Sequence, residues 1–157
     1  MVKGKKKTAL VIAAVLGSAG VSHAVRAADL NVTITNLRND RGFVDVTLYD
    51  HAAGWLDDSH AVGNLTLKAH AGVVRAVFHR LKPGQYAIVT THDENGNGRM
   101  DFFLGLPTEG YAFSNDVRPF LSAPSFNRAA FSVGAADSII QIDMVYPFVG
   151  KLTKERH

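Results

Sequence analysis

An all-β domain, built as a single antiparallel β-sandwich of about seven strands, is the fold class this sequence predicts, and three observations predict it. Short segments alternate apolar and polar residues, turn residues recur about every eight to twelve positions, and beyond residue 27 no stretch carries helical periodicity. A chain of 157 residues holds one such domain.

The first 27 residues read as a signal peptide that precedes the domain. Lys3, Lys5, Lys6 and Lys7 give a basic start, Thr8 to Val21 is apolar without a charge, and small residues follow at Ser22, Ala24, Ala27 and Ala28. The apolar run is shorter than the roughly 20 residues a membrane-spanning helix needs, so export and cleavage are expected rather than a permanent membrane anchor. Cleavage after Ala24 and after Ala27 both satisfy the small-residue pattern. Five of the 17 Lys and Arg residues lie in this segment and none of the 14 Asp and Glu residues does, leaving 12 bases against 14 acids and a net charge of −2. The whole-chain pI of about 9.3 therefore belongs to the leader, and a nucleic-acid partner is not expected. With no cysteine, the domain has no disulfide, thiolate metal site or thiol nucleophile.

The domain is expected over residues 28–150, followed by a charged tail over 151–157. Leu30, Val32 and Ile34 alternate with Asn31, Thr33 and Thr35 to give the first strand. Asn39-Asp40-Arg41-Gly42 turns the chain into Phe43 to Tyr49, and the two strands are expected to form a hairpin. His51 to Asp58 reads as a loop or one helical turn with Trp55 tucked beneath it. Asn64 to Lys68 and Val73 to His79 predict a second hairpin around His70-Ala71-Gly72. Leu81-Lys82-Pro83-Gly84 then launches Gln85 to Thr91, rich in the β-branched and aromatic residues that fit a pleated surface. Ala129 to Val133 and Ser138 to Tyr146 complete the set, which fits an immunoglobulin-like sandwich.

Between the fifth and sixth of these strands lie about 35 residues without strand pattern, more than a compact domain leaves structureless unless they serve a function or are tied down. The stretch opens His92-Asp93-Glu94-Asn95-Gly96-Asn97-Gly98. Asp93, Asn95, Asn97 and Asp101 occupy positions one, three, five and nine of a loop with glycine at position six, the way a calcium loop begins. Calcium takes six to eight oxygens, so the expected ligands are Asp93, Asn95, Asn97, the Arg99 carbonyl and Asp101, with Glu109 or Asp116 supplying a further carboxylate. Leu104 stands where a full EF-hand has its bidentate glutamate, so affinity should be weak, with a Kd of about 10⁻⁴ to 10⁻³ M. The competing reading of Asn95-Gly96-Asn97-Gly98 is a solvated hairpin tip, since Asn-Gly pairs favour positive φ.

A catalytic alternative is a small hydrolase using His92 with Glu109 or Ser114. No nucleophile elbow positions a serine, and the histidines are scattered without metal-ligand spacing, so no enzyme is expected. The aromatics after the loop, among them Phe102, Phe103, Tyr111, Phe113, Phe120 and Phe126, either line a glycan- or peptide-binding surface, with Tyr111, Phe113 and Asn115 as its candidates, or anchor the loop to the sheet.

Leu81-Lys82-Pro83-Gly84-Gln85-Tyr86-Ala87-Ile88, then His92 to Gly98, then Gly105-Leu106-Pro107-Thr108-Glu109-Gly110-Tyr111-Ala112-Phe113-Ser114-Asn115, resemble the bacterial exported proteins grouped as domain of unknown function 2141. The resemblance runs from about Leu30 to Tyr146 and includes the Arg41-Gly42 turn. It implies a small secreted or periplasmic β-sandwich, similar to transthyretin-like and carboxypeptidase-regulatory-like accessory domains, with no established activity. Trp55 stands where that family usually has phenylalanine, and Ala112 where it has glycine. The expectation is an exported accessory or binding module with a calcium-stabilised loop, whose partner is an envelope protein or glycan.

Overall fold

Ten strands form among the described residues of the computed structural model, which are 27–119 and 122–147. The expected leader, Ala27 excepted, the expected tail and Phe120 lie outside them. Strand β1 (Ala28–Leu37) is the centre of a three-stranded sheet, flanked by β4 (Gly72–Leu81) and β10 (Ser138–Asp143). A second sheet has the order β3-β2-β5-β8, from Gly63–Lys68, Phe43–Tyr49, Gly84–Asp93 and Gly110–Phe113, and β9 (Phe131–Val133) pairs with the start of β5. Strands β6 (Phe102–Phe103) and β7 (Leu106–Pro107) make a small separate hairpin.

Alternation places the core. Leu30, Val32 and Ile34 of β1, Ala76 and Phe78 of β4 and Ile142 of β10 share one buried cluster with Val44, Val46 and Leu48 of β2 and Ile88 of β5. Each large aliphatic side chain removed from water there contributes about 1.5–3 kcal/mol. Among the described residues no helix is long and apolar enough to cross a membrane.

Neither expected hairpin forms. Strand β1 pairs with β4 and β2 with β3, so the chain changes sheet between β1 and β2 and again between β3 and β4. Alternation states which face of a strand is buried and is silent about its neighbour. Nor is the pairing antiparallel throughout. Strand β10 lies parallel to β1, from Leu30 opposite Ser138 to Thr35 opposite Asp143. Parallel strands cannot be joined by a tight turn, and β1 and β10 are separated in sequence by β2 to β9.

The turn before β2 shows what replaces the first hairpin. Gly42 has φ +66°, and a Cβ built on it would stand 1.8 Å from the Asp93 carbonyl oxygen. Glycine lets the 38–42 turn lie directly on the end of β5. That contact brings β1, β2 and the start of the Asx-rich loop to one end of the molecule.

Candidate functional site

Strand β5 ends in His92 and Asp93 at that end, Glu94 follows directly, and all three are buried. Both nitrogens of His92 are engaged: Nε2 with the Arg41 carbonyl at 2.8 Å and Nδ1 with the Tyr146 hydroxyl at 2.7 Å. Burial pushes the Tyr146 hydroxyl up to about 12. Ser114 Oγ instead accepts from the Ile88 amide at 2.8 Å and donates to the Ala129 carbonyl at 2.6 Å. The base and nucleophile of the hydrolase reading are thus each committed to holding backbone, and no hydrogen bond between them is present.

Glu94 is held by the turn that precedes β2. Its carboxylate accepts from Arg38 Nε at 2.6 Å, Asn39 Nδ2 at 2.8 Å and Arg41 Nη2 at 2.7 Å. Burial favours the protonated form, but the bonds from Asn39, Arg41 and Arg38 outweigh it and hold the Glu94 carboxyl below the usual glutamate value of 4.5. Arg38 also donates to the Thr108 carbonyl at 3.2 Å and lies 4.5 Å from the centre of the Tyr146 ring. Sequence reasoning missed this cluster. Its only trace was a pair of arginines in a five-residue turn that a solvated loop does not require.

The loop itself is wound around Asp93. One carboxylate oxygen accepts from the amides of Gly96 at 2.7 Å and Asn97 at 3.1 Å, and the other from Gly98 at 2.7 Å. Asn95 Oδ1 accepts from the Asn97 amide and Asn97 Oδ1 from the Arg99 amide, each at 3.0 Å. These local side-chain bonds substitute for a ladder partner. Gly96 and Gly98 take φ of +73° and +75°, as expected of the Asn-Gly pairs. The carboxylate of Asp101 faces both asparagines, at 2.6 Å from Asn95 Nδ2 and 3.0 Å from Asn97 Nδ2. The side chains of Asn95, Asn97 and Asp101 therefore meet through the asparagine nitrogens, while the Asp93 carboxylate is taken up by the backbone of the loop.

Glu109 takes a different position. Its two oxygens accept from the amides of Glu94 at 3.0 Å and Asp101 at 3.2 Å, so the buried carboxylate clamps the two ends of the loop together. Arg99 contributes an exposed side chain 3.7 Å from Asp101. Asp116 accepts from the Asp143 amide, far along the chain from the Asx side chains. Among the described residues no three His, Asp or Glu side chains converge as a metal group, so any cation here would depend on asparagine and carbonyl oxygens.

Of the three ligand-surface candidates Phe113 is buried, Tyr111 half-buried and Asn115 exposed. Phe113 is only 7% exposed, with Trp55 6.2 Å away, and Trp55 also packs edge-on against Tyr49 and Phe126. Trp55 Nε1 donates to the Pro124 carbonyl at 2.7 Å. Tyr111 is half-buried against Phe113, and its backbone bridges to Val145. Asn115 donates to the Ala130 carbonyl at 2.8 Å. This second apolar cluster covers one half of the outer face of the β3-β2-β5-β8 sheet. The other half is an open polar hollow of about 420 Å³, lined by Asp45, Thr47, Asn64, Thr66 and Thr91 and closed by Asp93 at the loop.

These features define an all-β protein with two main sheets and an Asx-rich loop clamped at one end. It belongs to a bacterial family, described as an uncharacterised protein conserved in bacteria and numbered domain of unknown function 2141, whose model matches residues 32–141. No curated protein and no solved structure matches the chain.

Proposed function

We propose that the chain is an exported accessory or binding module of the bacterial envelope, a β-sandwich without catalytic activity whose 93–101 loop is stabilised by calcium. The observation that carries the reading is the gathering of Asp93, Asn95, Asn97 and Asp101, with Asp101 within hydrogen-bond distance of both asparagines. A hard cation entering there displaces the two amide donors on Asp101 and requires the Asn95 and Asn97 side chains, whose oxygens accept from backbone amides, to turn toward it. Supporting the sandwich is the one apolar cluster that both main sheets bury. The polar hollow beside the loop is the surface on which a glycan or polar peptide would be read.

Thermal unfolding in chelator and in about 5 mM calcium tests the ion. A Kd near 0.5 mM stabilises by about 1.4 kcal/mol at that concentration, a rise in Tm of several degrees. Because Asp93 also caps the loop backbone, Asp93→Asn and Asp101→Asn are compared by the calcium-dependent increment and not by Tm itself. An unchanged parent Tm in calcium ends the reading.

A further inference from the structure

We propose that the Asx-rich loop modifies itself: the Gly98 nitrogen attacks the Asn97 carboxamide, ammonia leaves, and the asparagine becomes aspartate or isoaspartate. Of the chain's asparagines only Asn95 and Asn97 precede a glycine. Lacking a Cβ, a glycine hinders little the ring its nitrogen must close on the preceding side chain. That much holds for any Asn-Gly pair. This loop adds a group placed at each atom the reaction changes.

The nucleophile rests on a base. Gly98 N donates to Asp93 Oδ2 at 2.7 Å, while the other oxygen of this buried carboxylate is fixed by the amides of Gly96 and Asn97. A carboxylate held on an N–H takes its proton as the nitrogen forms a new bond. The electrophile is folded back by an Asx turn, in which Asn97 Oδ1 accepts from the Arg99 amide at 3.0 Å. That turn sets the carboxamide beside the peptide nitrogen it spans, and the Arg99 amide stabilises the charge that develops on Oδ1 during attack. The leaving nitrogen, Asn97 Nδ2, lies 3.0 Å from Asp101 Oδ2, which keeps the carboxamide oriented. Residues 95–99 are exposed and nothing lies within 4 Å of where a Gly98 Cβ would stand, so the ring has room to close and water can reach it.

As the bond from Gly98 N to Asn97 Cγ forms, the N–H proton passes to Asp93. It returns through water to Nδ2, the Cγ–Nδ2 bond breaks, and ammonia leaves a succinimide. Water then opens either carbonyl of the ring, giving aspartate or moving the peptide bond to the side chain as isoaspartate. One water is consumed, one ammonia is released and nothing is oxidised. Asn95 is served less well, because the Gly96 amide shares Asp93 Oδ1 with the Asn97 amide and a Cβ on Gly96 would come 3.8 Å from the Phe43 ring. Asn97 therefore converts first. Its product sets a carboxylate against Asp101 where Nδ2 had donated, so the loop loses a hydrogen bond and gains repulsion. The product is also the more acidic loop that the calcium reading favours, but the conversion does not depend on that reading.

The full chain is incubated at neutral pH in chelator, folded and in urea, and followed by intact mass and by peptide mapping that separates aspartate from isoaspartate. Chelator keeps the result apart from the calcium reading. Asn97 should convert about tenfold faster in the folded chain than in urea, since only the fold places the base and the amide donor. Both products should appear, Asn95 should lag, and Asn64, exposed and followed by Leu65, should stay intact. Asp93→Asn keeps an acceptor oxygen but removes the base, and should slow the folded conversion about tenfold. A folded rate equal to or below the rate in urea overturns the proposal without recourse to any variant. Aspartate without isoaspartate, the outcome of direct hydrolysis, does so too, as does an Asp93→Asn chain that converts as fast as the parent.

Discussion

The long stretch after β5 divides into two halves that are held by different physics. Residues 93–109 are fixed by carboxylates bonded to backbone amides: Asp93 to three of them and Glu109 to two. The described residues on either side of 120–121 are held by rings, with Phe113 and Phe126 packed against Trp55. The first half leaves its apolar hairpin exposed, while in the second Phe113 and Phe126 are buried. One contiguous segment therefore yields an exposed hairpin and an anchored support.

The sharpest way to break this contrast is at the ring cluster. Phe113→Ala should lower global stability by about 3–5 kcal/mol in urea unfolding, because a buried ring leaves a cavity its neighbours cannot fill. A loss below about 1 kcal/mol would mean that Phe113 is not an anchor for its strand. Glu109→Gln probes the other half and should cost about 2 kcal/mol, since one of two buried amides loses its acceptor. Hydrogen exchange should then quicken at the amides of Glu94 and Asp101 and stay slow at Ile88. Uniform quickening would instead make the clamp part of the global core.

The smallest expected effect is on pH dependence. The Glu94 carboxyl titrates below its ordinary 4.5 when folded, so its contribution is present above that value and is lost as pH falls through the lower, folded one. Urea midpoints should drop on acidification below about pH 4.5, and Glu94→Gln should flatten part of that drop. An identical acid slope in the variant would show that the arginine turn does not couple to folding.

Much of this was legible beforehand. The alternation of Leu30, Val32 and Ile34 and of Ile140 and Ile142 marked strands that exist, and the Asx-Gly spacing marked a loop whose side chains bond to one another and to its own backbone. Glu109, by contrast, serves as a clamp on two backbone amides, because their need for an acceptor arises only once Glu94 and Asp101 come side by side. Glu94 left no trace beyond the two arginines of the turn, since its partners lie 53 to 56 residues away in sequence.

By itself, then, the amino-acid order determined the all-β class, the positions of seven of the ten strands and the local winding of the loop, because each depends on residues within a few positions of one another. Strands β6, β7 and β8 lie in the stretch expected to carry no strand, because they are short and owe their pairing to neighbours. Only the tertiary structure decided which strands are neighbours and which aromatics are hidden. Phe102 and Phe113 both sit on short strands eleven residues apart, yet one is 63% exposed and the other 7%. The difference lies in what covers each strand. Trp55 and Phe126 lie over Phe113, and no local pattern records that the chain will bring them there.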